Sequence, residues 1–174
     1  MEYLFETERM RMRRFEADDA RCLYENHLDG EVRRWIPNES YADMEEARQA
    51  IGFYAECVNR NELPFVLAVT LRDTGELIGD AGINPVAGKP GEVEVGFVIY
   101  RAYRGKGCAT ELLRGMTNYA LANLHPSALF GRVMRGNDAS ERVLQKNGYR
   151  FISEEFGAED DPRGDGMLVY AANR

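Results

Sequence analysis

Between an alternating apolar stretch and a helical one lies Arg104-Gly105-Lys106-Gly107-Cys108-Ala109, where two glycines one residue apart free the backbone to aim successive N–H groups at one point. Beside the positive end of a helix dipole such a turn suits a phosphate, although the spacing alone also fits an ordinary tight turn. There is no third glycine at Rossmann spacing and no Gly-Lys-Ser/Thr ending of a Walker loop, which sets both of those nucleotide motifs aside. The two histidines, His27 and His125, lie away from this run, so a Ser-His-Asp hydrolase is not indicated. Cys22, Cys57 and Cys108 are odd in number and form no C-x-x-C pair. Neither a disulfide framework nor a metal site is expected, and the expected compartment is a reducing cytoplasm.

The elements around the turn follow from periodicity. Glu92 to Tyr100 alternates, with Val93, Val95, Phe97 and Ile99 on one side and Glu92, Glu94, Gly96 and Val98 on the other, which predicts a strand. After the turn, Ala109, Leu112, Leu113, Met116, Ala120 and Leu124 fall on one helical face, and that helix must end before Pro126. Upstream, Arg9 to Phe15 reads as a strand, Ala17 to Leu28 as a helix, and Asp43-Met44-Glu45-Glu46 as the capped start of a helix through Cys57, with a loop holding Trp35 and Pro37 between the two helices. Phe65 to Leu71 and Glu76 to Ile83 form a hairpin about Asp73-Thr74-Gly75, and Pro85 to Gly91 is a loop. Downstream come a strand over Ala128 to Met134, a short helix with Asp138 and Glu141 as its capping box and Asn147-Gly148 as its stop, and strands around Tyr149 to Ser153 and Met167 to Ala172 that flank an acidic loop, Glu154 to Asp165. A strand-helix-strand crossover at the turn, with hairpins on either side, makes a mixed, mostly antiparallel sheet of six to seven strands with helices on both faces, an α+β fold of the α/β/α sandwich type.

At 174 residues and 44% hydrophobic content the chain is expected to form one domain with a sizeable core. A formal net charge of -7 argues against a nucleic-acid partner and favours an amine-bearing, cationic one. No apolar run approaches the ~18 residues of a membrane span, and the start lacks a basic stretch leading into an apolar one, so neither a membrane nor export is expected. The composition leaves room for a homodimer.

Glu94-Val95-Gly96-Phe97-Val98-Ile99 followed by Tyr103-Arg104-Gly105-Lys106-Gly107-Cys108-Ala109-Thr110-Glu111 resembles the signature of the GNAT superfamily of N-acetyltransferases, in which Arg or Gln, two residues, Gly, one residue, and Gly or Ala are here Arg104, Gly107 and Ala109. Asn137 to Tyr149, an Asn-led helix ending in Lys146-Asn147-Gly148-Tyr149, is similar to the family's second signature. The opening, Arg9 to Phe15 before a helix at Ala17, is similar to the branch of ribosomal-protein alanine N-acetyltransferases.

The resemblance implies a sheet splayed between its fourth and fifth strands, with the pantetheine arm of acetyl-CoA in the gap. Phe97, Val98 and Ile99 would give backbone contacts to the arm, as an added strand does. Arg104, Gly105, Lys106, Gly107, Cys108, Ala109 and Thr110 would surround the pyrophosphate. Asn137 matches a residue that bonds the arm near the thioester; asparagine is equally a leading helix N-cap.

Acetyl transfer to an amine requires a base for the amine's proton and stabilisation of the oxyanion and the departing thiolate, with no covalent enzyme intermediate, so Cys108 is not needed as a nucleophile. By resemblance Glu94 is the candidate general base, directly or through a water, with Glu92 on the same strand face as a second candidate. Many relatives place a thiolate-protonating tyrosine seven residues after the motif asparagine, where this chain has Leu144. Ser140 matches a serine of the ribosomal-protein branch and is the substitute. The acceptor would be a peptide N-terminus or a small cationic amine, approaching past the acidic loop. The alternative is a non-catalytic acyl-CoA-binding or regulatory domain on the same fold.

Overall fold

The structure is a computed structural model and describes residues 3–173. Its strands are β1 (Tyr3–Glu6), β2 (Met10–Arg13), β3 (Phe65–Leu71), β4 (Leu77–Pro85), β5 (Glu92–Ile99), β6 (Ala128–Met134), β7 (Tyr149–Glu155) and β8 (Met167–Ala172). Its α-helices are α1 (Ala20–His27), α2 (Gly30–Trp35), α3 (Met44–Arg60), α4 (Cys108–Asn123) and α5 (Asp138–Lys146). The strands form one eight-stranded sheet in the order β1-β2-β3-β4-β5-β6-β8-β7. Every neighbouring pair is antiparallel except β5 and β6.

Alternation assigns the two faces of β5. Val93, Val95 and Ile99 pack with Leu112, Leu113 and Met116 of α4, while Val98 packs with Val32 of α2 on the opposite face. Met10 and Met12 of β2 are fully buried on the α4 side, and Phe15, Ala20, Leu23 and Ile51 form a second cluster that docks α1 and α3. The sheet is thus covered by α4 and α5 on one face and by α1 to α3 on the other.

Three expectations need correction. Tyr3–Glu6 is a strand, too short to show a period, and it is fixed by pairing with β2. The strand expected fourth is therefore fifth, and the sheet has eight strands. The segment expected as a loop between the first two helices contains α2 and a 3-10 turn over Pro37–Glu39. A six-residue helix is marginal by itself; here the Asp29 carboxylate accepts from Glu31 N at 2.7 Å and Val32 is buried. Finally, the cap of α5 is Asn137 rather than Asp138, its Oδ1 accepting from Ser140 N at 3.3 Å.

The feature that makes a site is a break in pairing. β5 and β6 are in register from Glu92 opposite Ala128 to Val95 opposite Gly131, and there the pairing stops although both strands continue. Beyond it the sheet opens into a gap headed by the glycine turn.

Candidate active site

The gap is a cleft of about 420 Å³. Phe97, Val98 and Ile99 of β5 form one wall; Asn137, Ser140 and Val143 at α5 form the other; Arg104, Gly105, Gly107, Cys108, Ala109 and Thr110 close one end. Val32 and Trp35 of α2 also line it. The tertiary structure thus gathers along one cavity nearly every residue singled out for the coenzyme. Lys106 is the exception: its ammonium turns back to the Ala102 carbonyl at 2.9 Å and lies over the Tyr103 ring.

The turn is built from main chain. Gly105 and Gly107 have φ of 73° and 79°, a left-handed conformation that glycine adopts without strain. Among the described residues, no backbone N–H from Gly105 to Thr110 donates to another protein group. Unpaired amides at the start of the 16-residue helix α4 are donors suited to an anion. The signature arginine is engaged elsewhere. Arg104 Nε donates to the Ile99 carbonyl at 2.8 Å, and its Nη1 lies 3.5 Å from Asp29, the N-cap of α2.

Glu94 does not line this cleft. It lies on the α2 face of β5, in register with Phe130 of β6, and its carboxylate is 3.9 Å from Arg132 Nη1. Arg132 also grips Asp160 with both terminal nitrogens, at 2.8 and 3.1 Å, and meets Glu155 at 3.0 Å. One guanidinium serves three carboxylates. Burial raises the pKa of Glu94, Arg132 opposes the rise, and Asp160 and Glu155 add to it. Glu92, the second candidate, sits at the far start of β5 with Lys89 3.7 Å away.

Sequence reasoning missed the groups behind Glu94. His27 and Asp80 are both buried and meet at 2.8 Å through Nε2, while His27 Nδ1 is 2.6 Å from the Glu39 carbonyl. A carbonyl and a carboxylate only accept, so both ring nitrogens carry protons when Asp80 is ionised. Burial opposes that charge, but Asp80 and the Glu39 carbonyl outweigh it and raise the His27 pKa to about 9. Desolvation and then the Asp80 carboxylate raise Glu39, and His27 opposes; because the residue remains exposed, its carboxylate neighbours are the firmer cause. The available signal was Asp80 itself, a carboxylate inside the apolar run Leu77-Ile78-Gly79-Asp80-Ala81.

The acidic loop is less free than its composition suggests. Glu154 pairs with Arg135, Glu155 and Asp160 with Arg132, and Asp165 with Arg163. Asp161 is buried and accepts from the backbone N–H groups of Asp165 and Gly166. The loop is also tied to the α2 segment, because Asn38 donates to the Glu159 carbonyl at 2.9 Å and Arg163 to the Arg34 carbonyl at 3.2 Å. Leu144 is buried over Gly131, where a Cβ on the glycine would collide with it, so it is a core residue of α5. Among the described residues there is no group of three or more His, Cys, Asp and Glu side chains placed to hold a metal ion, and no helix long and apolar enough to cross a membrane.

An eight-stranded mixed sheet opened beside a glycine turn, with helices on both faces, is the architecture of an acetyltransferase of the GNAT type. Residues 9–150 match the family model described as an acetyltransferase (GNAT) domain, and the chain belongs to that family. It is 27% identical over 169 residues to the uncharacterized N-acetyltransferase p20 of Bacillus licheniformis, covering 97% of this chain and 92% of that one. Its fold matches the ribosomal-protein-S5-alanine acetyltransferase of Vibrio fischeri with a TM-score of 0.81 at 18% identity, covering 96% and 94% of the two chains. It also matches RimL, a ribosomal L7/L12 α-N-protein acetyltransferase solved with coenzyme A, with a TM-score of 0.78 at 15% identity over 98% and 97%.

Proposed function

We propose that this protein transfers the acetyl group of acetyl-CoA to a primary amine by direct attack, with both substrates bound together. The observation that carries the reading is the row of unpaired N–H groups from Gly105 to Thr110 at the head of a cleft walled by β5 and α5. They would hold the pyrophosphate, and the free edge of Phe97, Val98 and Ile99 would pair with the arm, since β6 no longer occupies it. When bound, acetyl-CoA supplies the activated acyl group and a thiolate leaving group.

The chain's own residues then have separable tasks. Glu94, with its raised pKa, takes the proton of the incoming amine, directly or through a water. Ser140, on the cleft wall at the first turn of α5, stabilises the departing thiolate in place of the tyrosine that Leu144 replaces. Asn137 caps α5 and lines the cleft, so its two roles coexist: Oδ1 holds Ser140 N, which leaves its amide nitrogen for the arm.

The carboxylates Glu39 and Glu94 favour a protonated amine as acceptor, and the ion pairs within the acidic loop make local recognition a better account than long-range steering. A peptide N-terminus is the preferred class. Its α-amino group, with a pKa of about 8, gives up its proton more readily than a lysine at about 10.4. The likeness of the opening strand and helix to the ribosomal-protein branch supports the same choice. The test is release of free thiol from acetyl-CoA in the presence of short basic peptides with free or blocked N-termini, polyamines and aminoglycosides. Release that requires a free N-terminus is the expected result. Tight coenzyme binding with no release on any amine would favour the non-catalytic reading.

A further inference from the structure

The two glycines that let the backbone approach an anion also leave the turn soft, because their peptide planes can rotate at little cost. Something must hold the Lys106–Gly107 plane so that the Gly107 N–H faces the cleft. We propose that Arg9, from the β1–β2 turn at the other end of the chain, is the positioning residue that sets this plane, and so tunes affinity for the pyrophosphate of the coenzyme. The inference rests on the reading of the glycine turn as the pyrophosphate site.

The geometry is direct. Arg9 Nη1 donates to the Lys106 carbonyl at 2.8 Å. In a planar trans peptide the C=O and the next N–H point in opposite directions. Fixing the Lys106 oxygen on the outside therefore turns the Gly107 N–H the other way, and Gly107 lines the cleft whereas Lys106 does not. The guanidinium is itself anchored: Arg9 Nε meets Glu111 Oε2 at 2.6 Å, and the Arg9 backbone N–H donates to Glu111 Oε1 at 2.8 Å. Glu111 accepts both while standing in the first turn of α4.

The hairpin that carries Arg9 is docked along α4 at three positions four residues apart. Arg9 meets Glu111, Thr7 sits over Gly115, and Phe5 stacks on Tyr119 with ring centroids 5.0 Å apart. A Cβ at Gly115 would lie 2.7 Å from Thr7 Cγ2, so the glycine permits the approach. Arg72 completes the mount, its backbone N–H donating to the Arg9 carbonyl at 2.9 Å and its Nη1 to the Thr7 carbonyl at 3.1 Å. From the opposite side Asn147 Nδ2 donates to the Thr110 carbonyl at 3.2 Å. An ion pair with Arg9 44% exposed adds little to folding stability, so the arrangement acts chiefly on the local orientation of the turn.

Trp35, the single tryptophan, lines the cleft, and its fluorescence can report titration with coenzyme A and with pantetheine, which lacks the pyrophosphate. In Arg9→Gln the ratio of the two affinities should fall about tenfold, the scale of one charge-assisted hydrogen bond. Arg9→Lys keeps the charge but not the fork, and should fall between. A merely structural role would weaken both probes equally and leave the ratio alone. If Arg9→Gln does not fold, Arg9→Lys decides: a lowered ratio supports the proposal and an unchanged one overturns it. A wild type that binds both probes equally overturns the pyrophosphate reading and this proposal with it. A wild type that prefers coenzyme A, with unchanged ratios in the variants, overturns this proposal alone.

Discussion

The two halves of the candidate site are made of different material. The half proposed to face the coenzyme is main chain: amides of the glycine turn and the free edge of β5, with the nearby cations Arg104, Lys106 and Arg9 engaged by protein carbonyls. The half beyond Glu94 is side chain, with His27 from α1 and Asp80 from β4 in one ion pair and Arg132 from β6 held to Glu94 and to Asp160 of the β7–β8 connection in another set. A constant ligand such as a pyrophosphate can be met by a constant group, the peptide N–H. A variable acceptor must be met by groups that differ from one protein to the next. Side-chain substitutions should therefore be costly on the Glu94 half, whereas on the coenzyme half the sensitive positions are those that set the backbone.

The sharpest way to break that contrast is at the buried pair. Replacing His27 with Gln leaves Asp80 buried without its cation, a loss of about 3–5 kcal/mol that urea unfolding would measure. An unchanged midpoint would mean that the pair is not a structural keystone. The pH dependence has a definite sign. Because the His27 pKa is raised from 6.5 to about 9, its stabilisation is complete below about 6.5 and is lost as pH rises through about 9. The melting temperature of the wild type should decline over that interval, and that of His27→Gln should decline much less.

Next in size is Glu94→Gln, expected to lower turnover by roughly 100-fold with a smaller change in acetyl-CoA affinity. A base works unprotonated, and burial raises its pKa, so the wild-type rate should climb with pH through a value above the ordinary carboxylate range. A variant that keeps the full rate and the same pH profile would pass the task to Glu92 or to solvent. On the coenzyme half, Gly107→Val forces a branched residue into φ of 79° with its Cβ 3.5 Å from Arg9 Nη2, which disturbs the turn, so coenzyme affinity should fall about tenfold or more in a protein that still folds. Titration with coenzyme A decides it, and unaltered affinity would remove the turn from the site. The smallest effect is expected at Ser140→Ala, about tenfold in turnover for one hydrogen bond to the departing thiolate and little in affinity. Single-turnover kinetics would separate the two.

The coenzyme half was legible in the sequence because its determinants are local. Two glycines at fixed spacing, an alternating strand before them and a 3.6-period helix after them follow from nearest-neighbour geometry, and β6 and β8 begin and end at the residues expected of them. Locality also explains the misses. The strand β1 has four residues and no period of its own, and the helix α2 has six; each exists because a partner elsewhere pairs with it or buries it.

By itself the sequence determined the order of the longer elements, the faces of β5, and the place of the glycine turn between β5 and α4. Only the tertiary structure decided that β5 and β6 part after Val95 and Gly131, that Glu94 stands outside the cleft beside Arg132, and that His27 meets Asp80 across 53 positions of chain. The physical reason is range. Backbone conformation and amphipathic period are set by residues a few places apart, whereas the pairing of buried charges and the opening of a sheet depend on which distant segments the closed core brings within a few ångströms.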